Sequence, residues 1–136
     1  MSLAQVEDKL KEFFYYVSAS TANWLSKAYD TLGKFYEGVI ARTDLMSYIR
    51  LAIENSLAQA VGEGVIDVDT ALHLFGSIMM YYGSKLDKIT VDADINAFIE
   101  FLNEVIRILS VDRRYVEWAR KSWEGAVEIL RAIFKI

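Results

Sequence analysis

Apolar residues recur at helical spacing along almost the whole chain. Leu3, Val6, Leu10, Phe14 and Val17 predict a first helix over residues 3–17. The small polar run Ser18–Asn23 then kinks it or caps a new one. Trp24, Leu25, Ala28, Leu32, Phe35 and Val39 predict a second helix running to about Gly38. Thr43 is the expected N-cap of a third, which carries Leu45, Ile49, Ala52, Ser56 and Ala60 and ends near Val61 at Gly62-Glu63-Gly64. Val65–Val68 alternates like a strand but has no second strand to pair with, so it reads as a connector. Asp69 is expected to cap a fourth helix that stops at Gly83. Asp92 should open a fifth, with Ile95, Ile99, Leu102, Ile106 and Leu109 in 4-3-4-3 steps. A last helix capped by Asp112 carries Tyr115, Ala119, Ser122, Ala126, Ile129 and Ile133.

These elements predict a single all-α domain over residues 1–136. Its architecture is a compact bundle of five to six mostly antiparallel helices with short loops.

Several helices are apolar right round, which a bundle helix with one wet face is not. Phe13-Phe14-Tyr15-Tyr16 and Met79-Met80-Tyr81-Tyr82 each cover about 300° of azimuth at ~100° per residue. The last helix adds Trp118 and Trp123 to its stripe. Such helices are central, or a partner covers their second face. Aromatic residues of this kind anchor interfaces, so Phe13, Tyr16, Tyr82, Trp118 and Trp123 are the interface candidates.

Composition narrows the chemistry. The chain of 136 residues has no Cys, no Pro and one His, a hydrophobic fraction of 54% and a formal charge of −4. Disorder, disulfide frameworks and thiolate sites are thereby excluded. No basic, apolar leader opens the chain and no run reaches the ~18 apolar residues of a membrane span. A cytoplasmic setting, or a particle assembled there, is the expectation. Two Gln and four Asn against many Ile, Glu and Arg lean toward a thermophilic source.

Enzyme constellations fall largely by elimination. A histidine-rich metal site cannot be built, and residue 70, three before His73, is Thr where a di-iron bundle needs Glu. His73 lies between Leu72 and Leu74 and reads as a packed core or interface histidine. Gly62–Asp67 lacks the third Gly of a dinucleotide loop. Asp92, Asp94 and Asn96 open like a calcium loop, but Ala97 and Asn103 stand where Gly and Glu are required. The carboxylate pairs Glu100/Glu104 and Glu124/Glu128 read as a solvated face, with Glu104 beside Arg107. No enzyme activity and no cofactor are expected.

Charge is uneven. Residues 69–106 hold two basic and six acidic side chains, whereas 107–136 hold seven basic and four acidic. An acidic middle and a basic C-terminal helix suit contact between subunits. The leading expectation is therefore a structural protein that assembles with itself or docks to another protein, such as a coat or assembly subunit. In gross style this resembles helical coat subunits of archaeal viruses or small helical subunits of multiprotein nucleic-acid complexes, a fold-level analogy without a shared motif. The alternative is a nucleic-acid-associated subunit using Arg113, Arg114, Arg120 and Lys121. The i,i+4 pairs Arg113–Glu117, Glu117–Lys121 and Arg120–Glu124 would neutralise much of that patch. A third reading is a small-molecule carrier lined by Met79–Tyr82.

Overall fold

In the computed structural model, which describes residues 2–135, the all-helical expectation holds. The helices are α1 (Leu3–Phe14), α2 (Ala22–Leu32), α3 (Val39–Gly62), α4 (Val68–Thr90), α5 (Ile95–Leu109), α6 (Arg113–Glu124) and α7 (Val127–Phe134). Single 3-10 turns at Ala19–Thr21 and Phe35–Glu37 join the first three. The described residues thus form seven α-helices rather than five or six, and no strand. The expected connector is present at residues 65–67, while Val68, also read as part of it, opens α4.

The extra helix comes from a break. Asp112 caps α6 as predicted, its carboxylate accepting from the Tyr115 amide at 3.0 Å. The helix then stops at Gly125, so Ile129 and Ile133 belong to a separate cylinder, α7. Other predicted boundaries also shift: α1 ends at Phe14 rather than Val17, and α2 at Leu32 rather than near Gly38. Helix α3 starts at Val39, four residues before Thr43, with Gly38 in extended conformation as its N-cap. Helix α4 is capped by Asp67 rather than Asp69; the Thr70 amide donates to it at 2.7 Å and holds the carboxyl below its ordinary pKa. It runs past Gly76 and Gly83 to Thr90, because Leu74, Ile78 and Ile89 keep one face buried throughout. Helix α5 is capped by Asp94, not Asp92, with the Asn96 and Ala97 amides at 3.0 and 3.2 Å. Ala93 takes a left-handed φ of 53° to make that entry.

Helix α2 packs on α3, α3 on α4, α4 on α5, and α5 on α1. Helix α7 closes on α2, with Phe134 between Phe14 (4.8 Å between ring centroids) and Tyr29 (4.9 Å). Helix α3 contributes Leu45, Met46, Ile49, Ala52, Ile53, Ser56 and Ala60, a seven-residue repeat that keeps one seam inward. The accessible surface is 7021 Å². Area–mass scaling gives a compact 15.5 kDa monomer roughly 7,200 Å². The described residues are therefore packed about as compactly as a monomer of this mass.

Two polar devices lie inside. The C-terminal end of α1, whose last carbonyls have no helical partner, is received by α6. The Trp123 indole N–H donates to the Phe14 and Val17 carbonyls at 3.0 and 2.9 Å. The Tyr115 hydroxyl donates to the Tyr16 carbonyl at 2.8 Å and meets Ser56 Oγ at 2.7 Å. Ser56 Oγ in turn accepts from the Ser18 amide, and Ser122 Oγ from the Ala19 amide, both at 2.9 Å. Burial pushes the Tyr115 phenol above its ordinary pKa, only partly offset by Ser56. Elsewhere Arg42 is buried with no carboxylate within 4.0 Å among the described residues. Its guanidinium donates to Thr90 O (2.8 Å) at the end of α4 and Phe35 O (2.5 Å), over the Phe35 ring. A cation at a helix C-terminus is where the macrodipole favours one.

Candidate interaction surfaces

The five aromatic interface candidates separate into two groups. Phe13 and Trp123 are buried in the chain's own core, Phe13 edge-on to Phe14 and Trp123 on the α1 carbonyls. They offer no surface to a second copy. Neither segment is buried all round: Tyr15 is 44% exposed just past the end of α1, and α6 buries only Tyr115, Ala119 and Trp123. Tyr16, Tyr82 and Trp118 are half-buried. Tyr82 packs edge-on against Phe101 of α5, 6.0 Å between centroids. Trp118 leans on Tyr115 and donates its indole N–H to Glu63 at 3.3 Å. Tyr16 lies beneath Arg120, whose guanidinium carbon is 5.7 Å from the ring centroid.

The four basic candidates Arg113, Arg114, Arg120 and Lys121 are all exposed on α6. Ion pairs expected to neutralise them are not made: among the described residues no carboxylate lies within 4.0 Å of any of the four. Arg113, Arg120, Tyr16 and Glu117 together line one shallow groove of about 230 Å³. The acidic pairs are solvated, as expected for Glu100 and Glu104, which pair with Lys85 (2.7 Å) and Arg107 (2.8 Å). Glu124 and Glu128 fall on different helices, so they share no face. Among the described residues no three His, Asp or Glu side chains come together as a metal-holding group.

The surface that the sequence pattern hid is the outer face of α4. His73, read from the sequence as a core or interface histidine, is exposed there and so is not a core residue. Asp69, His73, Gly76, Met80, Gly83 and Asp87 follow one another in steps of four and three and are all exposed. That makes them a single line along the helix. Leu72 beside it is 64% exposed and Met80 77% exposed. On the other flank Met80, His73, Ser77 and Tyr81 wall a groove of about 570 Å³ against Ile108 and Val111, and Val111 is 76% exposed.

The glycines on this line have no internal reason to be there. A Cβ at Gly76 or Gly83 would meet no atom within 4 Å. Each costs α4 about 1 kcal/mol relative to Ala in helix propensity. The sequence signal was present in the spacing of Gly76 and Gly83, each followed by Ser, which interrupts the apolar run once every seven residues. A second exposed apolar cluster, Tyr36, Val39 and Ile40, marks the start of α3. No helix among the described residues is long and apolar enough to cross a membrane. Comparison with protein-family models, with curated proteins and with solved structures finds no match.

Proposed function

We propose that this chain is a non-enzymatic helical protein that works by assembling with copies of itself, the outer face of α4 being the contact surface. The observation that carries this reading is where the surplus apolar residues lie. The core is complete without Leu72, Met80 and Val111, yet these stay largely exposed on and beside one helix. Single exposed apolar residues are ordinary; a grouped set alongside a groove marks a contact site. The buried aromatic residues of α1 and α6 serve the monomer, so association does not depend on Phe13 or Trp123. Light-scattering mass across a wide concentration range tests the reading. A mass that rises with concentration, and returns to 15.5 kDa in Met80→Asp with helicity retained, is the expected result. A 15.5 kDa species at every concentration contradicts it.

A second reading has its own observation. Arg113, Arg114, Arg120 and Lys121 are exposed on one helix with no ion pair among the described residues, and Arg120 is stacked on Tyr16, a pairing suited to phosphate and base contact. It predicts binding to single- or double-stranded nucleic acid that falls steeply with salt and is lost in an Arg113→Ala/Arg114→Ala variant. An absence of any electrophoretic shift at low salt removes it.

A further inference from the structure

We infer that Gly125 and Ala126 form a hinge, and that α7 leaves the cleft between α1 and α2 by straightening, α6 and α7 then running on as one helix. The inference concerns the single chain and does not depend on the self-assembly reading.

The sequence suits the straight form as well as the bent one. Tyr115, Ala119, Ser122, Ala126, Ile129 and Ile133 step by 4-3-4-3-4 through the break. The residues that the two helices bury are Tyr115, Ala119 and Trp123 on α6 and Leu130, Ile133 and Phe134 on α7. At ~100° per residue these six would fall within about 100° of azimuth on one unbroken helix, the width of an ordinary buried stripe. Nothing in the local backbone enforces the bend. The chain has no Pro, and Gly125 (φ −92°, ψ 4°) and Ala126 (φ −132°, ψ 17°) both stay out of the left-handed region. A Cβ at Gly125 would meet no atom within 4 Å. Neither space nor backbone conformation requires that glycine; its effect is to weaken a helix running through this point.

The two sides of the hinge are held differently. Tyr115, Ser122 and Trp123 fasten α6 by hydrogen bonds to the end of α1 and the segment after it. Helix α7 has no such tie: among the described residues its one side-chain hydrogen bond, Arg131 to Glu128, stays within the helix. It is seated by Leu130, Ile133 and Phe134, with Lys11 Nζ 5.1 Å from the Phe134 ring centroid. A groove of about 500 Å³ still opens between Ser26 of α2 and Ile129 and Ala132 of α7. When the hinge straightens, α6 stays in place and α7 swings away, lifting Phe134 off Phe14 and Tyr29. Helix α7 is thus a strap over an apolar cleft that the chain itself can uncover.

Thiol labelling tests the hinge, because the chain has no Cys of its own. Ile133→Cys reports release of α7, and Ala52→Cys, fully buried in α3, reports unfolding of the whole chain. Labelling rates with a maleimide are measured at a dilution where light scattering gives 15.5 kDa. The expected result is faster labelling at residue 133 than at residue 52. Adding Gly125→Ala should speed labelling at 133 by up to about fivefold, and Ala126→Gly should slow it, following the helix propensities of the two residues. An α7 that merely unravels responds in the opposite sense, since alanine at residue 125 restricts the unravelled chain. A rate at 133 that Gly125→Ala leaves unchanged or lowers overturns the straightening. Equal rates at 133 and 52 overturn any separate release of α7.

Discussion

Replacing Trp123 by Phe separates a core residue from an interface anchor. In the folded chain one indole N–H serves two carbonyls at the end of α1, Phe14 O at 3.0 Å and Val17 O at 2.9 Å. Trp123 is 2% exposed, so water cannot replace that donor. Leaving a buried acceptor unsatisfied costs about 1–3 kcal/mol. The smaller ring also leaves roughly 40 Å³ unfilled, about 1 kcal/mol at the usual cavity cost. Together Trp123→Phe should destabilise the fold by about 2–4 kcal/mol. With an unfolding entropy near 2.1 cal/mol/K per residue, that lowers Tm by about 7–14 °C. Circular dichroism melts of both proteins, at a concentration where both are monomeric, measure it. A shift below about 2 °C, or loss of assembly without loss of stability, would refute the assignment of Trp123 to the α1 cap.

Three further outcomes follow from other parts of the fold. Gly76→Ala should raise monomer stability by about 1 kcal/mol, read from urea melts, since the added Cβ meets nothing and helix propensity improves; a decrease would mean that α4 is not helical there. Arg42→Met should cost about 2–3 kcal/mol by orphaning the Thr90 and Phe35 carbonyls in the interior, and an unchanged urea midpoint would contradict that. The Tyr115 phenol, raised by burial above its ordinary value of 10.0, keeps its proton in the fold while the unfolded chain loses its own. Its contribution is therefore fully present below pH 10 and is lost as pH rises above it. Unfolding free energies should decline above about pH 10, and decline less steeply in Tyr115→Phe.

The helix α5 and the Asp112 cap were legible in the sequence, because apolar spacing and a carboxylate N-cap act locally. The α5 stripe was rotated, however: Phe98, Phe101, Val105 and Ile108 are buried, whereas the predicted Ile99 and Ile106 are only partly so. The ends of α3 and α4 were not legible. Gly83 reads as a helix stop by propensity, yet Ile89 is fully buried and ties the next turn to the core. Tertiary burial outweighs a penalty of about 1 kcal/mol. Capping between two nearby acids is equally hard to resolve from sequence: Asp67 and Asp69, or Asp92 and Asp94, differ only in which one the backbone places before the first turn. Two of the interface candidates, Phe13 and Trp123, are buried, and were hard to place for a related reason. An aromatic residue at Phe13 or Trp123 carries the same sequence pattern whether a neighbouring helix or another molecule covers it. The exposed line on α4 was encoded by what it lacks, the side chains at Gly76 and Gly83, and hydrophobic periodicity does not weigh an absence.

The most direct test of the account is the light-scattering mass of the chain from dilute to concentrated solution, measured beside Met80→Asp. The account predicts a mass rising above 15.5 kDa with concentration for the parent chain and 15.5 kDa throughout for the variant. A parent chain that stays at 15.5 kDa at every concentration, or a variant that assembles as the parent does, would contradict it.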